Sequence, residues 1–105
     1  MIDVKQFLCA VTDVPQNGLL AVHLDPWGDL LVCRVGDSFH VIDAICTHGA
    51  THLADGVLDG CEVECPLHRG RFNVTTGQAT ARPAKRPLTV HPSAVEDGAV
   101  YLLVG

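Results

Sequence analysis

The sequence predicts an all-β fold, an antiparallel β-sandwich or barrel with a hairpin subdomain at one end. Three observations predict it. Short runs rich in Leu and Val are separated by Gly, Asp and Pro turns. No stretch carries a sustained 3.6-residue apolar period. Pro15, Pro26, Pro66, Pro83, Pro87 and Pro92 interrupt any helix longer than two or three turns.

The expected elements follow in chain order. Leu19 to Leu24 and Leu30 to Val35 read as strands broken by Pro26-Trp27-Gly28. Gly36-Asp37-Ser38 turns the chain into a strand over Phe39 to Ile45. Val57 to Cys65 reads as a hairpin turned at Asp59-Gly60, a strong turn dipeptide. Leu88 to His91 and Ala99 to Val104 read as two closing strands, joined through Glu96-Asp97-Gly98. The chain has 105 residues and no repeat, low-complexity run or linker, so 1–105 is expected to be one domain. Its 48% hydrophobic and 18% charged composition is that of a folded chain.

Two runs carry the chemistry: Cys46-Thr47-His48 and Cys65-Pro66-Leu67-His68. In each, a thiol and an imidazole lie two or three residues apart, which places them on a loop with both side chains turned the same way. Thiolate and imidazole both ligate iron, and two Cys with two His is the set that holds a [2Fe–2S] centre with His on one iron. Cys2His2 also suits structural zinc. Zinc fingers group two Cys and then two His, whereas each pair here is mixed. Zinc stays open on ligand type alone.

The residues around these pairs are similar to a known family. Cys46-Thr47-His48-Gly49 and Cys65-Pro66-Leu67-His68-Arg69-Gly70-Arg71-Phe72 closely resemble the two ligand loops of Rieske proteins. The likeness extends through Asp55-Gly56 and Thr76-Gly77 to Pro83, which resembles the proline of a third loop covering the cluster. The branch it most resembles is the small Rieske ferredoxin of bacterial aromatic-ring dioxygenase systems. The resemblance implies a Rieske-type fold with cluster-binding loops at about 45–70 and a covering loop near 83. It implies one [2Fe–2S] cluster, with Cys46 and Cys65 on one iron and His48 and His68 on the other. It further implies a one-electron carrier between an NAD(P)H-dependent ferredoxin reductase and a terminal oxygenase, with no catalytic residues of its own.

The respiratory branch of that family has an extra Cys in each loop, where this chain has Thr51 and Leu67, so the bracing disulfide is not expected. Gly70 and Phe72 stand where that branch has hydroxyl donors toward the cluster. Fewer hydrogen bonds to sulfur imply a potential near the lower end of the Rieske range, roughly −150 mV. A Rieske-type small subunit bound permanently to a larger oxidoreductase is the alternative reading.

The remaining polar residues have plainer readings. Cys9 and Cys33 lie among apolar residues and read as small buried hydrophobes. Cys61 follows Asp59-Gly60 at a turn and reads as partly exposed. His52 reads as a surface residue near the cluster tip, and His23, His40 and His91 as half-exposed sheet residues. Trp27 reads as a packing or turn residue. An odd count of five Cys without disulfide spacing points to a reducing compartment. Met1 to Leu8 holds Asp3 and Lys5 and lacks the apolar core of a signal peptide, and no run reaches the length of a membrane helix. These features predict a cytoplasmic monomer.

The formal net charge is −5, yet Arg69, Arg71, Arg82, Lys85 and Arg86 fall within 69–86. They form either a basic collar around the cluster loops, steering transient partners, or local pairs with Glu62 and Glu64. An acidic chain lacks the broad basic footprint of a nucleic-acid binder.

Overall fold

The computed structural model describes residues 4–47, 51–67, 69–82, 84 and 86–104. His48, His68, Pro83 and Lys85 lie outside the described residues. Among the described residues, eleven strands run in chain order: β1 Val4–Ala10, β2 Leu19–Leu24, β3 Gly28–Val35, β4 Ser38–Asp43, β5 Val57–Asp59, β6 Glu62–Glu64, β7 Arg71–Asn73, β8 Ala79–Ala81, β9 Val90–His91, β10 Ser93–Glu96 and β11 Ala99–Val104. Short 3-10 turns occupy Val11–Asp13 and Leu53–Asp55. Every strand pairing is antiparallel.

The strands form three sheets, ordered β1-β11-β10, β2-β3-β4-β9 and β5-β6-β7-β8. Strand β3 explains how they stack. Leu30, Leu31, Val32 and Cys33 are all fully buried, although neighbouring side chains on a strand point to opposite faces. Leu30 and Val32 join Leu8, Cys9, Val100 and Leu102 in one core. Leu31 and Cys33 join Val63, Phe72, Val74 and Leu88 in another. The middle sheet is therefore covered on both faces, which is why its central strand is an unbroken apolar run rather than an alternating one. One face carries the sheet of chain ends; the other carries the four-stranded hairpin sheet that bears the ligand loops.

Two closing features depart from the sequence reading. Leu88 is not in a strand. It is buried, and its N–H donates to the carbonyl of Gly77 at 2.7 Å. Only Val90–His91 remains extended, pairing with β4. The partner of β11 across Asp97-Gly98 is instead β10. The β5–β6 turn lies at Gly60-Cys61, with Asp59 opposite Glu62, one residue later than expected. No described helix is long and apolar enough to cross a membrane.

Two glycines hold the hairpin sheet close to its surroundings. A Cβ on Gly56 would fall 1.9 Å from the Glu64 carbonyl oxygen. On Gly77, at φ +80, it would fall 2.1 Å from that of Leu88. These are the Asp-Gly and Thr-Gly pairs singled out in the sequence, and close backbone approach is the reason for them.

Candidate metal centre

The first loop grows from the end of β4. Ile45 bridges to His52, the Cys46 N–H donates to the Thr51 carbonyl at 2.9 Å, and the Leu53 N–H donates to Ala44 at 2.7 Å. These bonds close a neck with Cys46 and Thr51 facing each other across it. The second loop joins β6 to β7. The Cys65 N–H donates to Gly70 at 2.7 Å, and the Arg69 N–H donates back to Cys65 at 3.1 Å. Arg69 sits at φ 59, where a non-glycine residue is uncommon, and it completes the tight return.

Two residues after β8, Ala84 and Arg86, touch the described parts of both runs. Ala84 is buried and packs on Gly70, where an added Cβ would meet the Ala84 Cβ at 3.0 Å and its nitrogen at 3.1 Å. The Thr47 hydroxyl donates to the Arg86 carbonyl at 2.9 Å. The two ligand loops and the covering segment thus meet at one end of the hairpin sheet.

Cys46 and Cys65 come together there. They are 5% and 4% exposed and sit at the edge of the core that holds Phe72. Their thiols lie within hydrogen-bonding reach of each other. Burial pushes the Cys65 thiol upward; the Leu67 backbone hydrogen bond opposes this, while the neighbouring Cys46 adds to it. Metal binding requires thiolates, and two adjacent buried thiolates require a cation between them. The pair therefore fits two ligands on one metal ion. The sequence carries imidazoles two and three residues further on, at His48 and His68, which lie outside the described residues; two Cys with two His is the donor set of a Rieske [2Fe–2S] centre. Phe72, fully buried, offers no hydrogen-bond donor.

The other candidates separate cleanly. His52 does more than sit on the surface. It is half-buried, and its Nδ1 accepts the Ala54 N–H at 3.1 Å, capping the 3-10 turn at Leu53–Asp55. Cys9 and Cys33 are buried, and Cys61 is exposed. Of the basic residues, Arg71 belongs to the hairpin rather than to a collar. It bonds Glu64 at 3.1 Å and Glu62 and Asp59 at 3.2 Å each. Arg69, Arg82 and Arg86 are exposed, as is Leu67, two residues before Arg69 and 48% exposed. Sequence reading missed the Thr47 tie, whose only signal is a hydroxyl placed between two ligand candidates.

Comparison with known proteins gives a consistent result. Residues 4–92 match the family model described as the Rieske [2Fe-2S] domain. The chain is 43% identical over 99 residues to the ferredoxin component of the p-cumate 2,3-dioxygenase system of Pseudomonas putida, covering 93% of this chain and 84% of that one. A ferredoxin of Sphingomonas yanoikuyae B1 superposes with a TM-score of 0.90 at 38% identity, covering 94% of this chain and 97% of that one. A chain from a complex of reduced oxygenase and oxidized ferredoxin in carbazole 1,9a-dioxygenase superposes with a TM-score of 0.86 at 40% identity, covering 96% of this chain and 92% of that one.

Proposed function

This chain belongs to the Rieske [2Fe–2S] domain family, and on that premise we propose that Cys46 and Cys65 bind one iron of its cluster and His48 and His68 the other. The protein carries one Rieske [2Fe–2S] cluster and is an electron-transfer component of a dioxygenase system rather than an enzyme. The observation that carries the ligand assignment is the contact of two buried thiols, one from each Cys/His run, at the hydrogen-bonded necks of Cys46 and Cys65.

When bound, the cluster stores one electron. The residues of the chain supply ligation, a low-dielectric wall and a docking edge. Phe72, Val63 and Leu53 exclude water from the inner side of the thiols. On the outer side, the second loop presents Pro66, Leu67 and Arg69 to solvent. Leu67 offers apolar surface that a partner desolvates, and Arg69 orients it. Small transient redox interfaces cover under about 1,200 Å², so this edge is sufficient for docking.

The partners are an NAD(P)H-dependent reductase, which supplies the electron, and a terminal aromatic-ring oxygenase, which takes it. The likeness to ferredoxins of the cumate and carbazole systems supports this pairing. The working unit is a single domain over 1–105, a cytoplasmic monomer that docks transiently through the cluster tip. Stopped-flow mixing with such a reductase and oxygenase tests it. The expected result is uptake of one electron per chain from the reductase and its return to the oxygenase. A chain that accepts an electron but never delivers it to an oxygenase contradicts the proposal.

A further inference from the structure

We propose that Asn17-Gly18 is a deamidation site: Asn17 converts spontaneously to isoaspartate, at a rate set by the opening of its own hydrogen bond to Gly36. The pair sits where Leu19 meets Cys33 and Val35 meets Ser38, at the end of the middle sheet away from Asp43, Ala44 and Cys46. Nothing in the reaction depends on the ligand assignment.

An asparagine followed by glycine suits this reaction because no side chain shields the glycine nitrogen from the asparagine amide. The fold keeps that glycine in place. A Cβ on Gly18 would fall 2.7 Å from the Pro15 Cβ and 3.1 Å from the Pro15 carbonyl oxygen. Asn17 itself is exposed in a turn, where water reaches it. The step needs only water. The Gly18 nitrogen bonds to the Asn17 side-chain carbonyl carbon, the bond from that carbon to the amide nitrogen breaks, and ammonia leaves with the proton from Gly18. Water then opens the cyclic imide at one of its two carbonyls. One opening gives aspartate; the other gives isoaspartate, whose main chain is one methylene longer.

The native contacts restrain the first step. Asn17 lies at φ 50, in the left-handed region that Asn tolerates. Its Oδ1 accepts the Gly36 N–H at 3.0 Å, across 19 residues of chain. That bond commits the side-chain carbonyl to the β3–β4 turn, and ring closure requires it to swing back to Gly18. The backbone is pinned as well: the Arg34 N–H donates to the Gly18 carbonyl at 2.9 Å, and the Arg34 guanidinium donates to the Val14 carbonyl at 3.3 Å. A net hydrogen bond of ordinary strength corresponds to about a fivefold change in an opening equilibrium.

The purified protein, incubated at mildly alkaline pH and then digested, tests the site by mass spectrometry, with isoaspartate detected by enzymatic methylation. Conversion at Asn17 should occur in the folded protein, at least about fivefold more slowly than in the same protein held unfolded in urea. Asn73, the other asparagine of the chain, precedes the branched Val74 and should stay unconverted in the folded protein. Amide exchange at Gly36 tests the restraint. Asn17→Gly tolerates the positive φ and removes the acceptor, so Gly36 should exchange about fivefold faster. Asn17→Asp keeps an acceptor oxygen and should leave that exchange unchanged. A folded protein that keeps Asn17 unconverted, while the unfolded protein converts, overturns the site. Equal conversion in the folded and unfolded protein overturns the restraint, as does a Gly36 amide that exchanges no faster in Asn17→Gly.

Discussion

At the scale of single residues, the histidines outside the metal centre divide by environment. His23 sits between Asp29, 2.9 Å from Nδ1, and Asp25, 3.1 Å from Nε2. Both ring nitrogens face carboxylates, so the doubly protonated ring suits the site. The hydrogen bond to Asp29 and then that to Asp25 raise its pKa above 6.5. Among the described residues His40 has no such carboxylate pair, and burial lowers its pKa below 6.5. The linkage has opposite signs. The contribution of His23 is fully present below pH 6.5 and is lost as pH rises through its raised native value. That of His40 is present above pH 6.5 and is lost as pH falls through its lowered native value. Ring-proton chemical shifts followed against pH should show His23 titrating above 6.5 and His40 below it; the reverse order contradicts the assigned contacts. The cysteines divide in the same way. Burial pushes Cys33 to about 12 and, with Asp13 adding to it, Cys9 to about 11, whereas Cys61 is exposed. A thiol reagent at neutral pH should label Cys61 in folded protein and spare Cys9 and Cys33, with mass spectrometry as the readout. The buried character of Cys9 and Cys33 is legible from their apolar neighbours. The capping role of His52 is not, because it depends on a turn that the sequence does not announce.

Individual elements are held by backbone proximity as much as by side chains. Gly77 and Gly36 test the distinction, since both have positive φ, +80 and +59, but only Gly77 faces a crowded backbone. Gly36→Ala should cost about 1 kcal/mol, the conformational penalty alone. Gly77→Ala adds a clash with the Leu88 carbonyl and should cost about 3 kcal/mol in all. Denaturant midpoints of the two variants measure the difference, and equal shifts contradict the packing described here. Strands β2, β3, β4 and β11 are legible because each is long and apolar enough to show in the sequence. Strands β7 and β8 are not: each has three residues, and their pairing depends on neighbours rather than on local pattern. The same applies to Arg71. Its place on β7 opposite Glu64 of β6 puts three carboxylates within reach, a relation that the charge count leaves undecided.

Over the whole molecule, a middle sheet buried on both faces supports a hairpin sheet whose end holds the two thiols. The doubled Cys/His spacing marks Cys46 and Cys65, which the structure brings together, while His48 and His68 lie outside the described residues and the choice between iron and zinc comes from the family resemblance rather than from ligand type. The body is acidic at −5 overall, yet Arg69 projects beside the exposed Leu67. Rim charges act mainly on association rate and are screened by salt. Arg69→Glu should therefore slow electron delivery to the oxygenase roughly tenfold at low salt and much less at high salt. Leu67→Glu should slow it at every salt concentration, with the visible spectrum unchanged in both. Unmodified rates in both variants, with this protein limiting, would place the docking surface elsewhere.

The central claim is that Cys46, His48, Cys65 and His68 hold one [2Fe–2S] cluster. Electron paramagnetic resonance of the reduced protein, read with its iron and acid-labile sulfide content, tests this most directly. The expected result is two irons and two sulfides per chain, as a [2Fe–2S] cluster requires. A Rieske-type signal should appear in the unmodified protein and be absent from His68→Ala. Stoichiometric zinc without iron in freshly purified protein, or an unchanged signal in His68→Ala, would contradict it.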